Sequence, residues 1–200
     1  LLLAAYVWLD PNPPKRVSLA TGPEQSAYAE FGKVYARALK AHGIAVTLHP
    51  SEGASHNLRL LREGRVDLAF VQGGSGETPG LEDASLVSLG SLFVEPVWLF
   101  YRADLIQKAK VGLPVNSLPA LVGLRINVGT AGSGVPNLMR ALFEVNHLET
   151  ASLKLSRLEQ TEATVAFLYG ELDALVFASA PESLMVQMLL QTPGVGLLDF

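Results

Sequence analysis

The chain carries one local pattern twice, and this internal duplication restricts the possible folds more than any other feature of the sequence. In each half an apolar run enters a glycine-containing turn, and helical patterns follow. Each half then continues with Gly-x-x-Asp and an apolar strand: Gly64-Arg65-Val66-Asp67 in the first half and Gly170-Glu171-Leu172-Asp173 in the second. Two similar α/β lobes are therefore predicted. Ligands of open α/β sheets bind at the turns after such strands, so a cleft between the lobes is expected.

Composition agrees with two lobes and excludes some classes of function. The 200 residues, 49% of them hydrophobic, suffice for two cores in lobes of about 100 residues each. Alternating helical and strand patterns predict an α/β fold with mostly parallel strands. The net charge is −4 and no run of Lys or Arg occurs, which argues against nucleic acid as a partner. The absence of cysteine excludes disulfides and thiol catalysis.

The first residues are predicted to form a separate segment. Residues 1–9 are apolar, and a polar, proline-rich stretch follows at 10–16. Nine residues are too few to span a bilayer, which needs about 20. We expect residues 1–16 to be the remnant of a signal peptide or membrane anchor with its linker, the alternative being a buried first strand. Lobe 1 is then predicted at 17–96, a hinge crossing strand at 97–102, and lobe 2 at 103–200, truncated at its C-terminus.

No sequence motif asks for catalysis, a cofactor or a metal. The segment Gly132-Ser133-Gly134 differs in spacing from the Gly-x-Ser-x-Gly turn of serine hydrolases. The four histidines form no His-x-x-His pair, and no phosphate-binding Gly-Lys-Ser/Thr loop is present. We therefore predict a protein that is not an enzyme, with no cofactor and no metal site.

Binding features are better represented. Gly132-Ser133-Gly134 follows a predicted strand and opens a predicted helix, so free backbone N–H groups and the helix dipole favour an anionic group there. Ser133 could add a hydroxyl donor, although a plain strand–helix turn would look the same. Thr21 and Gly22 hold the matching place in the first lobe. Gln72 ends the third predicted strand, at the edge of the sheet where binding sites collect.

Other polar residues have a structural alternative beside the functional one. Ser55 begins the second predicted helix, where an N-cap is the alternative. Asn57 lies in the first turn of that helix, where the alternative is a solvated side chain. Tyr28 has the helical spacing of a core residue. Asp67 and Asp173 are expected to be structural, at the turns before their strands.

A set of motifs in fixed order is similar to one family of transport receptors. The motifs are Ala20-Thr21-Gly22 with Tyr28 and Gly32, Glu52-Gly53-Ala54-Ser55-His56-Asn57-Leu58, the stretch from Gly64 to Gln72, Val94-Glu95-Pro96-Val97, the stretch from Leu121 to Gly129 with Gly132-Ser133-Gly134, and Gly170-Glu171-Leu172-Asp173-Ala174 with Ala180-Pro181. From Arg16 to Phe200 the chain resembles the substrate-binding protein of tripartite ATP-independent periplasmic (TRAP) transporters, in the TAXI branch.

The resemblance implies a fold, a ligand class and a set of contacts. The implied fold is the type II periplasmic-binding-protein-like fold, two α/β lobes with a ligand cleft and a hinge. The implied ligands are small organic acids and amino acids such as glutamate. The implied ligand-binding residues are Thr21, Gly22, Tyr28, Ser55, Asn57, Gln72, Gly132, Ser133, Gly134, Val135 and Ala178. Two positions depart from the family pattern: Glu24 in the first turn would repel a carboxylate or pair with an amine, and Val135 replaces a small hydroxyl residue.

The predicted function is therefore that of a periplasmic or extracytoplasmic receptor, free or anchored at its N-terminus. It would capture a small organic anion, a dicarboxylate or an amino acid, for the membrane subunits of a TRAP-type transporter. The alternative is a membrane-anchored ligand-sensing or regulatory domain of the same fold. An enzyme of this fold that makes porphyrin or pyrimidine precursors would need a cysteine-held cofactor or a histidine cluster, and the sequence has neither.

Overall fold

The first half of the chain forms a three-stranded parallel sheet. The structure is a computed structural model that describes residues 14–24, 26–73, 86–105 and 118–198. The strand order of the first sheet is β2-β1-β3, with all neighbours parallel. Its elements are β1 (Arg16–Ala20), α1 (Ala27–Ala41), β2 (Ala45–His49), α2 (Ala54–Arg62) and β3 (Leu68–Ala69).

The second half forms a larger, mixed sheet of five strands in the order β6-β5-β7-β4-β8. Strand β5 is parallel to β6 and β7, whereas β4 is antiparallel to β7 and β8. The elements are β4 (Val97–Arg102), a 3₁₀ turn (Leu118–Leu121), β5 (Arg125–Asn127), α3 (Val135–Val145), a second 3₁₀ turn (Thr150–Ser152), β6 (Lys154–Ser156), α4 (Gln160–Leu168), β7 (Ala174–Ala178), α5 (Leu184–Leu190) and β8 (Val195–Leu197).

Both faces of the second sheet are covered by apolar side chains. Neighbouring residues of a strand point to opposite faces. Leu99 of β4 joins a cluster with Met139 and Phe143 of α3, while the adjacent Phe100 joins one with Phe167 of α4. The first lobe has a smaller core, in which Tyr28 of α1 packs with other aromatic residues. Burial of these faces excludes water from apolar surface and holds each lobe together.

The strand predicted as a hinge belongs wholly to the second sheet. Val97–Arg102 pairs with β7 and β8 along its length, so it does not bridge the two sheets. Just before it, Phe93 stacks on Phe31 of the first lobe with ring centroids 4.2 Å apart. Just after, the Trp98 indole N–H donates to the Ser179 carbonyl at 2.9 Å. The chain therefore passes between the lobes from Phe93 to Trp98. The predicted N-terminal segment, apart from its last residues, lies outside the described residues.

Asp67 and Asp173, the aspartates of the repeated pattern, make the same kind of structural contact, as expected from the sequence. Asp67 accepts hydrogen bonds from the backbone N–H and the hydroxyl of Ser18, both at 2.7 Å. Asp173 accepts from the Arg125 backbone N–H at 2.8 Å and from its guanidinium at 3.0 Å and 2.6 Å. In each lobe the carboxylate thus ties the start of one strand to the first parallel strand beside it. This shared contact explains why Gly-x-x-Asp recurs at nearly the same interval.

We expect Asp173→Asn to lower the free energy of unfolding by about 2 kcal/mol, because the replacement removes a charged, bidentate contact from a side chain that is only 11% exposed. Asp67→Asn should cost less, since Asp67 is exposed. Urea unfolding of both variants at neutral pH measures the difference; equal losses would contradict this account.

The same contacts predict a pH dependence. Hydrogen bonds from Arg125 hold the pKa of Asp173 below its ordinary value of 3.8. The stabilisation is therefore fully present above pH 3.8 and is lost as the pH falls through the lowered pKa. The stability gap between wild type and Asp173→Asn should close over that acid range. If the difference in the free energy of unfolding between wild type and Asp173→Asn stays constant over that acid range, the charge of Asp173 does not stabilise the fold.

Candidate functional site

A cleft of about 100 Å³ lies between the two lobes. The first lobe contributes the start of α1 and the turn before α2, and the second lobe contributes the turns before α3 and α4 and the end of β7. These turns follow the carboxyl ends of β1, β2, β5 and β6, which are parallel strands. Open α/β sheets bind ligands at such ends. The cleft is thus placed where the duplicated pattern predicted it.

The two lobes touch at one edge of this cleft. The His56 backbone N–H in α2 donates to the Gly132 carbonyl of the second lobe at 2.9 Å. Gly53 has φ +129°, and a Cβ there would lie 3.1 Å from the Ser133 Cα. A Cβ on Gly132 would overlap the side chain of Glu52. Glycine at both positions permits this backbone-to-backbone approach. We call the four residues Glu52, Gly53, Gly132 and Ser133 the lobe contact.

One wall of the cleft carries a hydrogen-bonded pair of polar groups, of which Tyr28 is buried and Glu95 half-buried. The Tyr28 hydroxyl donates to the Glu95 carboxylate at 2.6 Å. Tyr28 is 8% exposed and stacks on Phe70 with ring centroids 5.4 Å apart. Burial, together with the adjacent Glu95 charge, raises the pKa of Tyr28. Burial also raises the pKa of Glu95, and the hydrogen bond from Tyr28 partly offsets this. A carboxylate is therefore held in a poorly solvated position at the cleft.

The turn before α3 offers fewer donors than the sequence suggested. The backbone N–H and the hydroxyl of Ser133 both donate to the Thr130 carbonyl, at 3.1 Å and 2.8 Å. Pro136, in the first turn of α3, has no N–H to give. Gly134 and Val135 lie on the cleft wall. The predicted cradle for an anion is therefore reduced to the amides of these two residues.

The structure brings some of the predicted site residues to the cleft and places others behind it. Those on the cleft wall are Tyr28, Gln72, Ser133, Gly134, Val135 and Ala178. Those not on the wall are Thr21, Gly22, Ser55, Asn57 and Gly132. Ser55 is not the N-cap of α2, because Gly53 holds that position. Ligand contact by the residues on the wall stays a prediction.

Two residues behind the wall connect backbone segments. Thr21 is 2% exposed, and its N–H donates to the His49 carbonyl at 2.9 Å. Asn57 is fully buried and accepts from the Ser51 hydroxyl at 2.6 Å. Its amide group also donates to the carbonyls of Thr21 and Phe70. The alternative of a solvated Asn57 side chain is therefore wrong: this residue fixes the turns that form the cleft wall.

Sequence reasoning did not select several polar residues of the cleft wall, among them Glu52, Glu95, Glu159 and Gln160. Glu95 lies on the crossing segment, which shows no periodic pattern. Glu159 caps α4, accepting from the Thr161 N–H at 2.8 Å, and Gln160 follows it. The Nε2 atom of Gln160 is buried and has no hydrogen-bond partner among the described residues. Both follow β6, a strand that was not predicted; recognising it would have placed this turn at the carboxyl edge of the sheet.

Two other kinds of site concern the described ranges: metal sites and membrane-spanning helices. Within them, no group of three or more His, Cys, Asp or Glu side chains is arranged to hold a metal ion. The same ranges contain no helix with the length and hydropathy needed to cross a bilayer.

Comparison with known proteins identifies the fold and the family. The model of the NMT1-like family matches residues 19–200. No curated protein matches the sequence. A solved structure from Bordetella bronchiseptica is similar with a TM-score of 0.68 at 18% identity, over 92% of this chain and 56% of the other. The periplasmic aliphatic sulphonate binding protein SsuA from Escherichia coli has a TM-score of 0.59 at 18% identity, over 94% and 57%.

A third similar structure is a substrate-binding protein of an ABC uptake transporter from Streptococcus pneumoniae with bound histidine. Its TM-score is 0.60 at 13% identity, over 98% of this chain and 78% of the other. These likenesses establish the type II periplasmic-binding-protein-like fold. The chain spans little more than half the length of the first two structures.

Proposed function

Since the chain belongs to the NMT1-like family, we propose that it is a solute-binding protein that captures a small molecule between its lobes for a membrane transporter. The observation that carries the proposal is the cleft lined by both lobes. A solute that contacts both walls favours the arrangement in which the lobes touch, and so shifts the population toward it. In this arrangement the two lobes touch each other at the lobe contact.

The size of the cleft limits the solute. A cavity of about 150 Å³ accommodates benzene. A cleft of about 100 Å³ is smaller than that, so it encloses a molecule, or the part of a molecule, with fewer non-hydrogen atoms than benzene has. The proposed ligand is accordingly a small metabolite.

A TRAP-type transporter is the proposed partner, in the periplasm or another extracytoplasmic compartment. Support comes from the order of the motifs between Ala20 and Pro181, which resembles the TAXI receptors. Binding without catalysis is the proposed activity. The hydroxyl of Ser133, whose flanking glycines lack the spacing of a serine-hydrolase turn, donates to the Thr130 carbonyl and not to a base.

A thermal-shift screen of the purified chain against small charged and neutral metabolites tests the proposal. A ligand that binds only the folded state adds about 2.7 kcal/mol at one hundred times its dissociation constant. We expect at least one compound to raise the unfolding temperature by on the order of 5 °C. A folded protein that no compound stabilises would contradict a receptor for small solutes.

A further inference from the structure

The charges on the cleft wall are all of one sign. Three carboxylates lie there: Glu52 from the first lobe, Glu95 from the crossing segment and Glu159 from the second lobe. No Lys, Arg or His is among the described residues that line the cleft. Converging like charges with low-dielectric walls concentrate a potential that attracts counter-ions and repels anions. An organic dianion would enter this cleft against that potential.

Two of these carboxylates are restrained where they stand. Glu95 receives a hydrogen bond from Tyr28, which is itself locked among aromatic rings. Glu159 is fixed as the N-cap of α4 by its bond from Thr161. The donors in both contacts are neutral, so neither contact supplies a full positive charge, and Glu159 gains only the partial positive charge of the α4 N-terminus. Ammonium groups form stronger, charge-assisted hydrogen bonds with such acceptors.

The same wall contains one donor that lacks an acceptor. The buried Nε2 atom of Gln160, next to Glu159 on the cleft wall, has no partner among the described residues. A buried donor without an acceptor is unfavourable, so a ligand oxygen placed against it contributes to binding. The cleft wall therefore favours a ligand that has a cationic group and, beside it, a hydrogen-bond acceptor.

We infer that the solute is a small, net cationic molecule that carries a protonated amine and a hydrogen-bond acceptor such as a hydroxyl or carbonyl oxygen. The amine lies against the carboxylates of Glu95 and Glu159, and the acceptor faces Gln160. This inference rests on the proposed function and differs from the organic anion that the family resemblance implies. Glu24, in the exposed first turn, adds a further negative charge on the first lobe.

The test uses probes of equal skeleton and different charge. The four-carbon set is 4-amino-1-butanol, 4-aminobutanoate and 4-hydroxybutanoate, and the three- and five-carbon analogues extend it. Thermal shift and calorimetric titration of the wild-type chain rank the affinities. We expect the amino alcohols to bind best, the zwitterions less well and the hydroxy acids least. Tightest binding of the hydroxy acids would overturn the inference and leave the receptor function standing.

Charge-removing variants test whether the amino alcohols bind at the carboxylates of the cleft. Glu95→Gln and Glu159→Gln keep size and hydrogen bonding but remove charge, and each should weaken amino-alcohol binding by about tenfold or more. Glu149→Gln, at an exposed position off the cleft wall, is the control and should bind as wild type does. Unchanged affinity in both cleft variants would overturn the inference. If no probe binds the folded wild-type chain but another metabolite of the screen does, the inference is overturned and the receptor function stands; if no metabolite of the screen binds, both are overturned.

Discussion

Replacing Asn57 by alanine is expected to lower the free energy of unfolding by about 3–4 kcal/mol. The side chain is fully buried, and its amide and carbonyl join three segments of the first lobe: Ser51, Thr21 and Phe70. Alanine would remove the side-chain donor from the Phe70 carbonyl, would leave the Thr21 carbonyl with the Ser51 hydroxyl alone, and would open a cavity. Urea or thermal unfolding, followed by circular dichroism, measures the loss.

The matched control is Asn146→Ala. Asn146 is also an asparagine whose amide donates to a backbone carbonyl, that of Leu142 at 2.8 Å, but it is exposed at the end of α3. We expect a loss of under about 1 kcal/mol there. If both variants lose the same amount, the buried network around Asn57 does not hold the first lobe together.

The second large effect is expected at the lobe contact. In Gly132→Ala the new methyl group would overlap the Cβ and Oε2 of Glu52, so one lobe must move away from the other. Overpacking of this kind costs about 1–3 kcal/mol. The cost falls on the arrangement in which the lobes touch, because Glu52 belongs to the opposite lobe. Solute affinity should therefore drop by about tenfold, while each lobe keeps its own core.

Gly73→Ala is the control for the glycine replacement itself. A Cβ built on Gly73 meets no atom of the described residues within 4 Å, and its φ lies outside the left-handed region. Its affinity should equal that of wild type. Wild-type affinity in Gly132→Ala, measured by calorimetric titration, would show that closure at this contact plays no part in binding.

The sequence predicted the two-lobed α/β architecture because the duplicated pattern has a physical cause in each lobe. Asp67 and Asp173 each bind the first parallel strand of their own sheet, so the pattern Gly-x-x-Asp marks the same structural junction twice. The helical spacing of Tyr28 also predicted a core position, and Tyr28 is buried on one face of α1. Chain segments with such local rules could be placed from sequence alone.

The candidate site was harder to predict, since it depends on which turns meet across the lobes. Asn57 and Thr21 lie beside strand ends, as ligand-binding residues do. Their side chains instead donate hydrogen bonds to backbone carbonyls. Strand β6 has only three residues, two of them polar, and so gives no alternating signal. Because β6 was not predicted, the sequence did not place Glu159 and Gln160 at the cleft. It therefore did not predict that the cleft is acidic.

The central claim is that a solute binds in the cleft between the lobes. Calorimetric titration of the best compound from the screen tests it, on wild type and on Ala178→Phe, whose new ring would fill the cleft at the end of β7. Ala27→Phe, at the start of α1 on the opposite wall, is the second blocking variant, and Ala151→Phe at an exposed turn is the control. We predict binding in wild type and the control and a loss of about one hundredfold or more in both blocking variants, all folded by circular dichroism. Undiminished affinity in the two folded blocking variants would contradict the account.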